Sequence, residues 1–273
     1  MDVSTNSLVH VIIKCTKMLL YNIIYCLWCP MANNSVYLTK NMKHIYPATP
    51  QHLGLILDGN RRWAKEHGVS VAQGHRKGYQ NLKTVAKAAL KYGVRYVSAY
   101  VFSTENWQRD QQEVKDIMKI LSWVMKHEIK ELHRDSIRLR VIGSKAKLGT
   151  ALLTAIHDAE KLTEHNTAGT LLICLDYGGQ QEIVDAVKRI AETGVDPADI
   201  TADLIASNLY APDVPPLDLI IRTSGEQRLS NFMLWESSYS ELDFSTKNWP
   251  DYSTEDLKAS IDRYSDTHRR YGA

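Results

Sequence analysis

The stretch HLGLILDGNRRW, residues 52–63, decides the fold, because in it an apolar run passes directly into a polar junction. Residues 53–57 have the character of a short buried strand, and the lysine- and alanine-containing segment after Trp63 is typical of a helix. A helix start presents free backbone N–H groups and the positive end of the helix dipole, which favour anions. Arg61 and Arg62 add planar guanidinium donors that match phosphate oxygens. The stretch therefore predicts a strand and a helix with an anion site between them.

Asp58 does not fit a plain anion site, because a carboxylate repels phosphate. It does fit if a divalent cation bridges the carboxylate and a polyphosphate, as Mg²⁺ commonly does. These residues also have an ordinary structural interpretation, since Asp-Gly-Asn is common in turns and paired arginines are often solvated. Residues 58–63 alone do not separate a magnesium-assisted diphosphate site from a structural turn.

The bulk composition excludes several classes of protein. The chain has 273 residues, 44% hydrophobic and 23% charged, which is typical of a globular protein with one large domain or two small ones. A formal net charge of +2, from 33 basic and 31 acidic residues, argues against binding of nucleic acid through bulk charge. The four cysteines are scattered and imply no disulfide framework, and the lone CxxC at 26–29 is interpreted as a coincidence rather than a zinc or redox site.

Residues 1–50 differ from the rest of the chain. The apolar run 18–29 contains Asn22 and falls short of the roughly 20 apolar residues of a spanning helix. It also lacks the small residues of a signal-peptide cleavage site. Three interpretations remain: an interfacial anchor, a poorly ordered tail, or translated sequence upstream of a true start at Met31 or Met42. We favour the tail or the upstream sequence.

Apolar strand-like runs alternate with helical segments from residue 51 onward. The runs lie at 53–57, 96–102, 137–142, 171–176 and 217–221. A helix is predicted at about 111–133, with an apolar stripe between Val114 and Met125. Alternation of this kind predicts an α/β fold, with a mostly parallel central sheet flanked by helices, in one domain spanning 51–273.

Polar clusters follow three of the predicted strands. They begin at Asp58, at Ser103 and at Arg222. Because ligands bind beyond the carboxyl ends of the strands in an open parallel sheet, the three clusters are expected to converge on one site. The third cluster continues into an R-x5-R-x-S array, Arg222, Arg228 and Ser230, which we place near a helix start as a second diphosphate site. Its structural alternative is a surface pair between an arginine and Glu226.

Four segments resemble the cis-prenyltransferase family, which includes undecaprenyl and decaprenyl diphosphate synthases. They are 52–63 (HLGLILDGNRRW), 102–109 (FSTENWQR), 177–179 (YGG) and 220–241 (IIRTSGEQRLSNFMLWESSYSE), with further likeness at 249–250 and 269–272. The trans-prenyltransferases use a DDxxD motif, and this chain has no adjacent pair of aspartates. The resemblance implies a fold with an apolar tunnel. It also implies Mg²⁺-dependent condensation of isopentenyl diphosphate with an allylic diphosphate, such as farnesyl or geranyl diphosphate, to a Z-polyprenyl diphosphate.

The resemblance also implies a role for each matching residue. Asp58 would hold Mg²⁺ together with Glu241 and assist departure of the diphosphate. The allylic diphosphate would be bound by Gly59, Asn60, Arg61, Arg62, Trp63 and His75. Ser103, Thr104, Glu105, Asn106, Trp107 and Arg109 would lie beside the reacting carbons, with Asn106 assigned to proton removal. Arg222, Arg228, Leu229 and Ser230 would bind isopentenyl diphosphate. An RxG motif at 270–272 would reach across a dimer interface.

The residues themselves leave some of these roles open. His75 could donate to phosphate, carry a proton or simply begin a helix. Arg109 could be a phosphate ligand or a capping charge. The stripe between Val114 and Met125 could line a tunnel for a hydrocarbon product, although a stripe that faces the core has the same pattern.

Two positions depart from the family pattern. Val71 occupies the place where an arginine is expected, so one allylic-phosphate ligand would be missing. Val101 precedes Ser103 on the same strand face, where makers of long chains tend to have a small residue. We expect its branched side chain to narrow the tunnel and to end elongation early.

The leading hypothesis is thus a homodimeric cis-prenyltransferase that is cytoplasmic, associates loosely with the membrane surface and binds no nucleic acid. One alternative is a non-catalytic subunit of the same family that stabilises a partner. Another is an unrelated phosphate-binding hydrolase or nucleotide enzyme, but the chain has no Walker A, GxGxxG or HExxH motif.

Overall fold

A computed structural model describes residues 49–267 of the chain. The predictions for the N-terminal tail or anchor, for the CxxC at 26–29 and for the motif at 270–272 therefore lie outside the described residues. Within 49–267, none of the helices combines the length and the apolar character that a membrane crossing requires.

The centre of the fold is a sheet of six parallel strands. They are β1 (His52–Ile56), β2 (Tyr96–Ser103), β3 (Ile137–Ile142), β4 (Gly169–Tyr177), β5 (Leu219–Arg222) and β6 (Glu241–Phe244). Their spatial order is β3-β4-β2-β1-β5-β6, and each neighbouring pair is parallel. The predicted α/β fold with a parallel central sheet is confirmed, and each of the five predicted runs overlaps one of the strands. The edge strand β6 was not predicted.

Helices connect the strands and cover both faces of the sheet. They are α1 (Asn60–Glu66), α2 (Val71–Lys91), α3 (Gln111–His127), α4 (Ile129–Arg134), α5 (Thr150–Thr163), α6 (Gly179–Glu192), α7 (Ala202–Ala206) and α8 (Thr254–Asp266), with short 3₁₀ turns at Thr104–Gln108, Pro197–Asp199 and Trp249–Asp251. Strand β4 shows why both faces must be covered, because its successive side chains point to opposite faces. Leu171 and Ile173 join one buried apolar cluster, whereas Leu172 and Cys174 join the other.

Two local predictions about helices are wrong. The helix predicted at 111–133 is interrupted at Glu128, which ends α3 and precedes α4. The apolar spacing continues across this break, so the sequence pattern does not reveal it. No helix begins near Ser230 in the described chain, because Ser230 and Asn231 have φ angles of 50° and 66°. A right-handed helix excludes such left-handed backbone, and residues 230–240 form a series of turns instead.

Candidate active site

The carboxyl ends of β1, β2 and β5 meet at one cavity, which confirms the predicted convergence of the three polar clusters. β1 lies between β2 and β5, and Ile56 pairs with Arg222 across the β1–β5 ladder. This register brings the Asp58 carboxylate to Arg222, with Oδ2 accepting a hydrogen bond from Nη2 at 3.0 Å. The guanidinium of Arg222 is 4% exposed, whereas the Asp58 carboxylate remains accessible at 30%.

Asp58 is oriented by its own turn as well as by Arg222. Its Oδ1 accepts from the Gly59 backbone N–H at 2.8 Å and from the Arg62 guanidinium at 3.3 Å. Gly59 has a φ of 107°, and a Cβ there would lie 2.6 Å from the side-chain oxygen of Asn248. Only glycine accommodates this close approach without strain. The Asp-Gly-Asn turn therefore holds the carboxylate at the mouth of the cavity.

Arg222 is enclosed by the chain segment that follows it. Its Nη1 donates to Ser230 Oγ at 2.8 Å and to the carbonyl oxygen of Arg228. Its Nε is buried and has no hydrogen-bond partner within the described chain. Left-handed backbone at Ser230, with a φ of 50°, is costly for a residue other than glycine or asparagine, and such strain is concentrated at functional sites. The loop that encloses the guanidinium therefore has a backbone conformation that is locally unfavourable.

Glu226 links two cations that were predicted to bind diphosphate. Its carboxylate accepts from Arg228 at 2.5 Å and from Arg62 at 3.4 Å. The structural alternative, a surface pair between an arginine and Glu226, is therefore present. The pair is exposed, however, with the Arg228 side chain 59% accessible. An exposed pair of this kind contributes only about 0–1 kcal/mol, so an incoming diphosphate could replace Glu226.

Two arginines and a histidine converge on Glu113, a residue that the sequence reasoning missed. The Glu113 carboxylate lies 3.0 Å from Arg109, 3.1 Å from His75 and 3.8 Å from Arg61, and its side chain is only 9% exposed. Burial lowers the pKa of His75 below its ordinary value, and the hydrogen bond with Glu113 opposes this shift only in part. The spacing of Arg109 and Glu113, four residues apart on a helix start, is the one signal that could have indicated the pair.

The segment after β2 forms the third side of the mouth. Asn106 Oδ1 accepts a hydrogen bond from the Ser103 backbone N–H at 3.1 Å, as part of a capping box. Glu105 accepts from Asn231 at 2.9 Å, which connects this segment to the loop around Arg222. Burial raises the pKa of Glu105, but hydrogen bonds, above all the one from Asn231, hold it below its ordinary value. Glu105 is therefore an ionised anchor for that loop.

Most of the predicted site residues line the cavity, but five of them do not: Trp63, Thr104, Trp107, Leu229 and Glu241. Those on its surface are Asp58, Gly59, Asn60, Arg61, Arg62, His75, Ser103, Glu105, Asn106, Arg109, Arg222, Arg228 and Ser230. Trp63 instead donates to Asp251 at 2.8 Å, and Trp107 donates to Asp176 at 2.7 Å. Leu229 packs against one of the buried apolar clusters, and Thr104 is likewise absent from the lining. Trp63, Trp107 and Leu229 therefore contact other parts of the protein instead of the cavity.

Glu241 lies apart from the predicted metal site. It is the first residue of β6 and pairs with Leu219, whereas Phe244 pairs with Arg222. Three residues at about 3.3 Å each place Glu241 roughly 10 Å from the carboxyl ends of the strands. A metal site shared by Asp58 and Glu241 is therefore not formed within this chain. Among residues 49–267, no three His, Cys, Asp or Glu side chains come together as a metal cage.

The polar mouth opens into an apolar cavity of about 1150 Å³. Helices α2, α3 and α4 and strands β2, β3 and β4 supply its walls, and the α3 stripe contributes Ile117, Leu121 and Met125. Both departures from the family pattern lie on this surface. Val71 faces the mouth from the start of α2, and Val101 lies on β2. The cavity joins a cationic entrance to a hydrocarbon-lined interior.

Comparison with known proteins agrees with this arrangement. A model of the undecaprenyl diphosphate synthase family, Prenyltransf, matches residues 56–272. The isoprenyl transferase of Zymomonas mobilis is 41% identical over 247 residues, covering 89% of this chain and 98% of the relative. That of Streptococcus mutans is 45% identical over 231 residues, covering 82% and 93%. The crystal structure of lavandulyl diphosphate synthase from Lavandula x intermedia, in complex with dimethylallyl diphosphate, matches with a TM-score of 0.80 and 35% identity, covering 83% of this chain and 99% of that one.

Proposed function

Because the chain belongs to the undecaprenyl diphosphate synthase family, the cis-prenyltransferases, we propose that it condenses isopentenyl diphosphate with an allylic diphosphate at the mouth of this cavity. The observation that carries the proposal is the contact between Asp58 and Arg222 where a cationic entrance meets an apolar interior. The product would be a Z-polyprenyl diphosphate. The alternative of a non-catalytic subunit loses support, since the carboxylate and the arginines of both proposed diphosphate sites converge.

Two clusters of cations support two diphosphate sites. Arg62, next to Asp58, would hold the allylic diphosphate, assisted by Arg61 and Arg109 once the diphosphate replaces Glu113 as their anion. His75, whose lowered pKa keeps the ring neutral at pH 7, would donate a hydrogen bond. Arg222, Arg228 and Ser230 would hold isopentenyl diphosphate; the buried Arg222 Nε is a donor still available to a ligand. Neighbouring sites bring the allylic C1 and the isopentenyl double bond together, and such positioning alone can supply several kcal/mol of the barrier.

The reaction breaks the bond between allylic C1 and its diphosphate oxygen, and the leaving diphosphate keeps the electron pair. The isopentenyl double bond forms the new bond to C1, and a proton then leaves the isopentenyl unit. Negative charge grows on the diphosphate in the transition state, where the guanidinium groups stabilise it most. Asn106 remains our proposed participant in proton removal. Its side-chain oxygen accepts from Ser103 through one lone pair, so the other would accept a hydrogen bond from a water molecule that takes up the proton.

Asp58 suits a Mg²⁺ ion that is shared with a substrate. Mg²⁺ usually takes one or two carboxylates together with substrate phosphates and water, rather than a cage made by the protein alone. A single accessible carboxylate beside phosphate-binding arginines meets that requirement. When bound, the ion would neutralise charge on the leaving diphosphate. Glu241 could contribute only from a second chain, since its own strand carries it away from Asp58.

The apolar cavity would hold the growing hydrocarbon chain. The same proposal includes a homodimer. It also includes loose association with the membrane surface, on the cytoplasmic side, because the product partitions into lipid. The edge strand β6 offers a surface for the second copy, because Leu242 is half exposed and Tyr239, just before the strand, is 68% exposed. Sedimentation of the full chain would contradict the homodimer if it gave the mass of one copy.

The first experiment uses the full-length protein with radiolabelled isopentenyl diphosphate, Mg²⁺ and either geranyl or farnesyl diphosphate. We expect a ladder of labelled products, and Asp58→Asn should lower kcat by about 100-fold or more, the scale seen when one transition-state contact is lost. Asp262→Asn, an exposed residue on α8, is the matched control and should retain full activity. No incorporation by the folded wild type, or full activity in Asp58→Asn, would overturn the proposed function.

A further inference from the structure

The apolar cavity has a neighbour of about 730 Å³ that lies between α2 and α3. The second cavity is lined partly by polar and exposed side chains, among them Gln80, Lys119 and Trp123. Three side chains line both cavities: Tyr79, Lys83 and Ile120. We refer to these three residues as the partition. A thin wall of side chains thus separates two spaces, the smaller of which is about two thirds the size of the larger.

The partition lies along the side of the main cavity rather than at its end. Residues that line the main cavity on α2 run from Val71 and His75 at the mouth to Leu90. At 1.5 Å per residue, Tyr79 lies about 6 Å beyond His75, and Leu90 about 22 Å beyond it. A hydrocarbon chain that grows inward from the mouth must therefore pass the partition before it fills the deep end.

Ion pairs fasten the two helices beside the partition. Lys83 Nζ lies 2.7 Å from Glu128 and 2.8 Å from Glu131, at the junction of α3 and α4. Lys87, one turn further along α2, lies 2.6 Å from Glu131. These side chains are between 23% and 30% exposed, so hydrocarbon inserted between the helices would remove the water that still solvates their charges. Burial raises the pKa of Tyr79, and Glu128 and Glu131 raise it further, which keeps the phenol neutral.

Building on the proposed function, we propose that the partition determines product length by closing the lateral route between α2 and α3. Elongation would end when the hydrocarbon fills the main cavity. Entry into the second cavity would require moving Ile120 aside and placing alkyl groups against the Lys83 ammonium, whose desolvation is costly. This determinant is separate from Val101, which lies on β2.

The test measures the distribution of product lengths made by the full-length protein with farnesyl diphosphate and radiolabelled isopentenyl diphosphate. Ile120→Ala removes volume from the partition, and Lys83→Met keeps the length of the side chain but removes its charge. We expect each variant to lengthen the longest product by at least one isopentenyl unit. Trp123→Ala, which changes the second cavity only, should leave the distribution unchanged.

The outcomes separate this proposal from the one on which it rests. A wild type that makes no product overturns the proposed function and this inference together. Suppose that the wild type makes a ladder of products and that both partition variants make the same ladder while their melting temperatures show that they are folded. That result overturns the proposed role of the partition alone. So does a shift of equal size in Trp123→Ala. If Ile120→Ala does not fold, Ile120→Val takes its place beside Lys83→Met.

Discussion

At the scale of single residues, the positions of the side chains at the mouth are determined by the local backbone conformation and by strand pairing. Asp58 faces the site because Gly59 turns the chain immediately after β1. Arg222 faces it because the last position of β5 is paired with the last position of β1. Chemistry at this mouth therefore depends on backbone conformations that only particular residues can adopt, as well as on the charged groups themselves.

Val101 provides a test of the cavity at the same scale. We expect Val101→Ala to lengthen the product, because removing two methyl groups widens the cavity beside Ser103. The measurement is chromatography of labelled products from the wild type and the variant under identical conditions. Val184→Ala, an exposed valine on α6, serves as the control. An unchanged chain length in Val101→Ala would contradict the idea that this side chain narrows the path of the product.

The residues that the sequence did not reveal are those whose roles depend on distant partners. Asp58 and Arg222 could be predicted because each follows an apolar run directly. Glu113 could not, since the side chains around it come from α1, α2 and the segment after β2. Trp63 and Trp107 were assigned to the substrate because their motifs are specific to the family. Their indole N–H groups instead bond Asp251 and Asp176, which no local pattern indicates.

At the scale of secondary-structure elements, the contact between α1 and α2 sets the position of the polar junction. Gly74 and Gly78, four residues apart on α2, face α1. A Cβ at Gly74 would lie 2.5 Å from the Asn60 carbonyl oxygen, and one at Gly78 would lie 2.1 Å from Asn60 Oδ1. The absence of side chains at these two positions lets α2 lie against the turn that carries Asp58.

Gly78→Ala is expected to destabilise the protein and to lower its activity. Alanine favours a helix by about 1 kcal/mol over glycine, but overpacking costs typically about 1–3 kcal/mol, so the clash with Asn60 should dominate. Urea denaturation would measure the change in the free energy of unfolding. Gly149→Ala, at the N-cap of α5, controls for an added methyl group without a clash, because Gly149 has open space around it and an ordinary φ of −69°. Equal stability of Gly78→Ala and the wild type would show that α2 can shift freely.

A helix or strand could be predicted from the sequence wherever its apolar residues follow one uninterrupted pattern. β4, buried along its whole length, was therefore found. β6 was missed because it has four residues at the sheet edge, and none of them is fully buried. The break at Glu128 was missed because the apolar stripe of α3 continues into α4, while the ion pairs with Lys83 that accompany the break are tertiary.

At the scale of the whole molecule, buried titratable groups make stability depend on pH. His52 at the start of β1 is almost inaccessible, and its ring bonds Ser98 Oγ and the Pro215 carbonyl oxygen at 2.7 Å each. Burial lowers the pKa of His52 to about 4, although the hydrogen bond with Pro215 opposes the shift. The unfolded chain binds this proton more readily, so the stability that His52 contributes is complete above about pH 6.5 and is lost as the pH falls toward 4.

His52→Gln should therefore flatten the acid side of the stability profile. For a pKa of about 4 in the folded state, the titration of His52 accounts for about 3 kcal/mol of unfolding free energy between pH 7 and pH 4. Burial and the nearby Glu182 raise the pKa of Glu236 to about 8, which acts in the opposite direction. The comparison must therefore be made between variant and wild type. His165→Gln, on an exposed histidine, is the control, and parallel profiles for all three proteins would contradict the role of His52.

The position of β1 between β2 and β5 has a consequence for synthesis on the ribosome. Asp58 and Arg222 are 164 residues apart in the chain. At about 5–20 residues per second, β5 emerges roughly 10–30 s after the strand that it must flank. Throughout that interval β1 can pair on one side only, and the other edge of the nascent sheet stays open to pairing with neighbouring chains. Chaperone binding and aggregation during translation should therefore be greatest for chains that have released β1 and β2 but not yet β5.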